Sequence, residues 1–244
     1  MIPPPGVGIQ FRLTKAKSGF YLMNKGAESK TVFKFLDAQL LVNRVRPSPS
    51  ILLAHETAFS HDANARYNIT RVELKTITFS SGSQSLSIDN AVLGPLPKRL
   101  LFTMVKNSDF LGSVTTNPYN LRHYDISYFA VQVKGRQIPA EGLSLVMDNE
   151  KTSVIVYRTL SEGSGIHHSN SGLQITHDMY INGYFMLLFD LTPDRSASEG
   201  HTSQPDNGNI RVELRFAKPL PDPVTYLFYL EFDNTISIDK LRTV

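Results

Sequence analysis

Period-two alternation recurs along this chain, and helical periods are few. Ile210, Val212, Leu214 and Phe216 alternate with Arg211, Glu213 and Arg215. That is the pattern of a strand with one buried face, and it sends the three charged side chains to the outer face. The same period runs through Val7, Ile9, Phe11 and Leu13, and through Val32, Leu36, Ala38, Leu40 and Val42. Four further segments are apolar at both parities: Leu100 to Val105, Ile126 to Val133, Tyr184 to Leu191 and Val224 to Phe232. Such strands are buried on both sides, so something must cover the second face. Between Arg71 and Phe79 the phase changes, with Val72 and Leu74 in one parity and Ile77 and Phe79 in the other. This predicts a bulge near Lys75 or Thr76.

Three short helices are predicted. The first is SPSILLAHETAF, with Ser48 or Ser50 as N-cap. The second is EKTSVIVYRTLSEGSG, although Val154, Ile155 and Val156 also suit a strand. The third is THDMYING, with Thr176 as N-cap and Gly183 near its end. Turn formers crowd the links NRVRPSPS, SSGSQSLSIDN, LGPLPKR and TTNPYN. The longest link, Thr192 to Asn209, is polar and rich in Gly and Pro, which predicts a mobile surface loop. No internal repeat or compositional shift divides the chain. One antiparallel β-sandwich of about eight to ten strands accounts for the pattern.

Composition narrows the chemistry. The 244 residues contain no cysteine, which excludes disulfides, thiolate metal sites and a cysteine nucleophile. The 25 basic residues against 22 acidic ones are dispersed rather than gathered into a stripe, so a solvated surface is expected and not a nucleic-acid face. No apolar run approaches the length of a membrane span, and the start, MIPPPGVGIQF, does not read as a signal peptide. An intracellular location is therefore expected.

The densest candidate chemistry lies between Gly165 and Gly183, where His167, His168, His177 and Asp178 occur. Adjacent histidines on a strand point to opposite faces, and neither HExxH nor HxH is present. Asp178 suits the first turn of a helix through the dipole alone. A structural role is expected for this stretch. Ser164 lacks the G-x-S-x-G spacing of a nucleophile elbow, and His123 beside Asp125 makes no triad by sequence proximity. Phosphate-binding and dinucleotide loops are absent. Asn68 to Thr70 forms a glycosylation sequon that matters only in a secreted chain. No residue is assigned as catalytic, cofactor-binding or metal-ligating, and no cofactor is expected.

Several segments carry a resemblance: VLGPLPKRLLFTMV, NPYNLRHYDISYFAVQVKGRQIP, THDMYINGYFMLLFDLTPD, GNIRVELRFAKPLP and YLEFDN. Together they are similar to major capsid proteins of Maverick/Polinton elements and their adintovirus relatives. The resemblance runs from about PPPGVGIQF to the C-terminus. It implies a double jelly-roll protein in which three chains form a pseudo-hexagonal capsomer. It further implies a non-enzymatic, structural role, capsid subunits as partners, and location in a virion. No membrane and no sequence-specific nucleic acid are expected as partners. This chain has about half the family's length. Residues 1–26 resemble the closing strand of a first roll and its linker, and residues 27–244 resemble the second roll as a single jelly-roll domain. A truncated gene model, a decayed element or a retained half would each account for that. Two other readings stay open on the residues themselves: a lectin-like ligand-binding jelly roll, and a cupin-like metalloenzyme using His167, His168 and His177.

Overall fold

The computed structural model describes residues 4–23, 32–146, 150–166, 169–170, 172–200 and 202–243. Among these are eight strands: β1 (Ala65–Phe79), β2 (Ser85–Pro95), β3 (Arg99–Lys106), β4 (Ile126–Val133), β5 (Arg136–Ser144), β6 (Met186–Asp190), β7 (Asn207–Phe216) and β8 (Val224–Ile238). Four α-helices accompany them: α1 (Pro49–Ser60), α2 (Asn107–Phe110), α3 (Glu150–Ser164) and α4 (His177–Gly183). One four-stranded sheet has the order β1-β8-β3-β6, and the other has the order β2-β7-β4-β5. Strands adjacent in sequence alternate between the sheets, except β4 and β5, which form a hairpin. This is the connectivity of a jelly roll, an antiparallel two-sheet sandwich, as the alternation predicts.

The β4–β5 hairpin shows why local sequence gives this shape. Val133 faces Arg136 across a two-residue loop. Lys134 and Gly135 both have positive φ, at 52° and 78°. A loop with two left-handed residues carries the twist that matches flanking strands. β5 then contains Pro139, which an edge strand tolerates because one row of its amides needs no partner.

The compact larger unit comprises Lys17–Ala27 and Arg71–Asp233. Its core lies between the sheets. Leu100, Phe102 and Met104 of β3 point inward with Tyr226, Phe228 and Leu230 of β8, and all six are fully buried. They meet Phe129 and Val131 of β4 and Val212 and Leu214 of β7. Cover for the second face of β6 comes from α3, which buries Val156 and Leu160. Packing there is close: a Cβ on Gly163 would stand 2.5 Å from the Leu188 carbonyl oxygen. The smaller unit comprises Met1–Ala16, Glu28–Thr70 and Asn234–Val244. In it Arg242 lies over the ring of Phe59 of α1 at 4.2 Å and pairs with Glu56, while Lys240 pairs with Asp62 at 2.7 Å.

All three predicted helices form. Ser48 stands at the N-cap of α1, and Thr176 Oγ1 accepts the Met179 amide at the start of α4. Other expectations need correction. No part of 7–13 or 32–42 is in a strand, and Ile9, Phe11, Leu13, Leu36 and Leu40 are exposed. Alternation alone does not make a strand; backbone groups must also find a ladder, and none of the eight strands provides one. The bulge near Lys75 is absent. Burial alternates without a phase change from Ala65 to Phe79, so Val72 and Leu74 face outward. Arg71 and Glu73, on the inward parity, pair with each other, and Arg71 lies 4.7 Å from the Phe232 ring centre. A register shift occurs instead in β2 between Ile88 and Val92, where Asn90 has φ of 55°. β2 itself runs through the Ser-rich stretch expected to be a link, because Ser85, Ser87 and Asp89 form its outward face. The 192–206 loop is pinned at its start: Asp190 accepts the amides of Thr192 (2.9 Å) and Ala197 (3.0 Å).

Phe102→Ala removes the ring at the centre of the core and is expected to cost about 3–5 kcal/mol. Val72→Ala, on the outward face, is expected to stay within about 0.5 kcal/mol. Urea denaturation of both variants checks the assigned facing of β1 and β3.

Candidate functional site

Of the histidine stretch, His167 and His168 lie outside the described residues. His177 opens α4, and its Nε2 lies 3.1 Å from Ser153 Oγ of α3. Its ring meets Tyr157 edge to face at 5.6 Å. Tyr157 in turn donates to the Ile175 carbonyl at 2.6 Å. His177 thus clamps α4 to α3. Asp178 stays in the first turn and accepts from Asn182 at 3.0 Å. Ser164 ends α3; its hydroxyl donates to Ser161 O, and its carbonyl accepts from Ser198. Among the described residues, no three of His, Asp and Glu gather in a metal-binding arrangement.

His123 and Asp125 do come together, in a polar cleft of about 840 Å³. Three connections form it: the β3–β4 link with α2, the end of α4, and the β7–β8 link. Tyr124 and Asp125 both hold positive φ, at 48° and 50°. Residues with a Cβ resist that conformation, and hydrogen bonds hold it here. Ala217 N donates to Asp125 O at 2.8 Å, and Ile126 N donates to His123 O at 3.0 Å. Asp125 N donates to His123 Nδ1 at 3.1 Å. Nδ1 is therefore an acceptor, whereas a triad needs it to donate to the carboxylate. Asp125 Oδ1 is 3.6 Å from that nitrogen, and Oδ2 is 3.5 Å from Lys218. Lys106 pairs with Asp222 at 2.8 Å. Lys106, Arg122 and Lys218 match Asp109, Asp125 and Asp222 in number around the cleft, so the formal charges of these six groups sum to zero. Burial pushes the Tyr124 hydroxyl up to about 12, with Arg122 partly opposing and Asp109 and Asp222 reinforcing. Burial also holds Tyr180 and Tyr226 above the ordinary tyrosine range.

The outer faces of the two sheets differ in kind. On the β2-β7-β4-β5 sheet, Arg211 bonds Asp89 at 3.0 Å and Ser87 at 3.1 Å. Arg215 pairs with Glu213 at 2.7 Å and lies 5.1 Å from the Tyr128 ring centre. This is the charged outward face that the alternation predicts. On the other sheet, Val72, Leu74 and Tyr229 are 44%, 57% and 42% exposed. Leu101, opposite Tyr229, and Leu227 are half-buried beside them. The edge of this apolar face is marked by Lys98, 3.1 Å from Glu231 and 2.9 Å from Asp233. Burial opposes the charge on Lys98, but the two carboxylates prevail and raise its pKa. Arg99 donates to the Gly163 carbonyl at 3.0 Å, capping the negative end of α3.

No protein-family model matches the chain. A Caenorhabditis elegans protein described as uncharacterised, F54H12.2, is 25% identical over 225 residues, which is 88% of this chain and 52% of that protein. The chain spans about half the length of this curated relative. Among solved structures, the Sputnik virophage structure is similar with a TM-score of 0.40 and 12% identity, covering 72% of this chain and 37% of that one. The capsid of the virus PBCV-1 is similar with a TM-score of 0.37 and 11% identity, covering 72% and 50%.

The change of phase between Val72 and Leu74 on one side and Ile77 and Phe79 on the other corresponds in the structure to two exposed apolar residues on the outer face of β1.

His177→Ala removes the clamp and is expected to cost about 1–2 kcal/mol, read as a shift in the urea midpoint. Alkaline titration tests the tyrosines. A pKa raised on folding leaves stability intact below the unfolded value of 10 and erodes it as pH climbs through about 12 for Tyr124. Absorbance near the phenolate band at pH 11 should show Tyr124 still protonated in folded protein, with full ionisation only on unfolding.

Proposed function

We propose that this chain is a structural, non-enzymatic subunit of the capsid type, which works by assembling with copies of itself or with related subunits. The observation that carries this reading is a jelly roll with one charged outer face and one apolar outer face. A face holding Val72, Leu74, Leu101, Leu227 and Tyr229 is suited to burial against another surface. The opposite face, with its paired charges, is suited to water. The finer reading follows from the sequence resemblance: residues 27–244 correspond to the second roll of a double jelly-roll major capsid protein of Maverick/Polinton or adintovirus type, which works in a trimeric capsomer and resides in a virion.

A second reading, a ligand-binding jelly roll, has one observation in its favour, the polar cleft around His123 and Asp125. Fold alone does not choose between the two.

Sedimentation velocity over a concentration series, with electron microscopy of the largest species, separates them. The expected result is trimers or larger assemblies that dissociate on dilution. Val72→Asp with Leu74→Asp should raise the dissociation constant by at least about tenfold, because each partner must then bury a carboxylate. A monomer indifferent to these changes that binds a glycan on an array would overturn the subunit reading in favour of the second.

A further inference from the structure

We infer that the polar cleft between α2, the β3–β4 link and the β7–β8 link binds a small zwitterion of the amino-acid type, with Arg122 holding its carboxylate and Asp109 its ammonium. The inference rests on the ligand-binding reading of this cleft, not on the subunit reading, and goes beyond it by naming the charge pattern of the ligand. All the lining residues belong to the larger compact unit. Backbone bonds tie the walls together. Asn107 N donates to Pro223 O at 2.9 Å, Leu121 N to Gly183 O at 2.9 Å, and Arg122 N to Met104 O at 3.2 Å. A cleft held in this way exists before its ligand arrives, so binding has little of the protein left to order. Its volume of about 840 Å³ lies within the range of small-molecule sites, roughly 300–1,000 Å³.

Four of the six charges in the cleft are already engaged. Lys106 pairs with Asp222 at 2.8 Å, and Lys218 stands 3.5 Å from Asp125. Arg122 and Asp109 remain, and neither has an ion-pair partner among the described residues. Asn120, with its amide turned to satisfy both groups, accepts from Arg122 Nε at 3.1 Å and Nη2 at 3.2 Å. A neutral amide orients the guanidinium without cancelling its charge, and it leaves the Nη1–Nη2 end of the fork for an incoming carboxylate. Asp109 is only 7% exposed. A carboxylate can accept about four hydrogen bonds. Among the described residues only the Ser108 hydroxyl, at 3.0 Å, donates to this one. Thr116 Oγ1, of a residue on the same wall, is buried with no hydrogen-bond partner. Burial dominates the Tyr124 hydroxyl, and beyond it Arg122 lowers its pKa while Asp109 raises it. The two unengaged charges thus stand within Coulombic reach of one point on the wall. A singly charged ligand answers one of them, and a zwitterion answers both.

Isothermal calorimetry on the full chain tests this with glycine, γ-aminobutyric acid and ε-aminohexanoic acid, a series that varies the distance between the two ligand charges. Butyric acid and butylamine carry one charge each. The expected result is that one member of the series binds at least about tenfold more tightly than either singly charged compound. Arg122→Gln, at an exposed position, should bring that zwitterion down to the affinity of butylamine. Asp109→Asn should bring it down to the affinity of butyric acid. Circular dichroism checks the fold of both variants, and Arg122→Gln decides alone if Asp109→Asn does not fold. Equal binding of zwitterions and singly charged compounds overturns the inference. So does a zwitterion affinity that Arg122→Gln leaves unchanged, and so does the absence of binding by all three zwitterions. Binding of galactose instead of the zwitterions, lost in Arg122→Gln, keeps the ligand-binding reading and overturns this inference alone.

Discussion

The two sheets are held face to face by aromatic rings that meet around Phe102. Its centroid lies 4.9 Å from Phe129, 5.3 Å from Phe228 and 5.8 Å from Tyr226. Phe129 is the contribution of the opposite sheet, and it stacks on Phe189 with a centroid separation of 5.6 Å. These contacts fix parity. Sliding β3 by one residue would place Leu101 and Thr103 where Phe102 and Met104 now sit, and the Phe102 ring would leave the core. Because β3 pairs with both β6 and β8, its parity also sets theirs. The order of the sheets, the positions of the connections and the location of the cleft follow from that single registration.

Fixing the inner faces leaves the outer faces free to diverge. On β7 the outward positions carry Arg211, Glu213 and Arg215, each with an ionic partner in reach. Outward positions on β1 carry Val72 and Leu74. A sandwich built to stand alone gains nothing from the second arrangement, since apolar surface on a lone sheet face stays wet. Helix α3 covers β6, whereas Val72 and Leu74 of β1 and Tyr229 of β8 stay exposed. Polar atoms left inside are few. Tyr180 reaches the Met186 carbonyl at 2.8 Å, and Thr103 reaches the Phe185 carbonyl at 2.6 Å. Among the described residues, the Tyr226 hydroxyl is buried with no such partner.

Much of the fold was legible because parity is a local property. Ile126 to Val133 and Ile210 to Phe216 announce their strands from side-chain type alone, and Thr176 announces α4 through the bond it accepts. β2 was hidden by its own solvent face: serines that serve as polar outward positions are also turn formers. The two N-terminal alternations misled for the opposite reason. Pattern states what a segment would bury, whereas a strand also needs a neighbour, and the neighbour is not encoded within the segment. The apolar face of β1 fell between these cases. Its residues were visible, but a single chain offers no reason for apolar side chains at both parities, so the conflict was assigned to backbone geometry instead of to a surface.

The pairing of β1 with β8 has a consequence in time. These strands lie at opposite ends of the sandwich's sequence, and all the other strands come between them. During synthesis β1 emerges first and waits until the last strand of the roll has left the ribosome. Loop closure over that span is slow relative to local hairpins such as β4–β5. Throughout the wait both long edges of β1, and its apolar side chains, are open to whatever else is present. A nascent chain of this kind is most exposed where many copies are made close together, so its yield should depend on translation rate and chaperone supply as much as on the final stability of the fold.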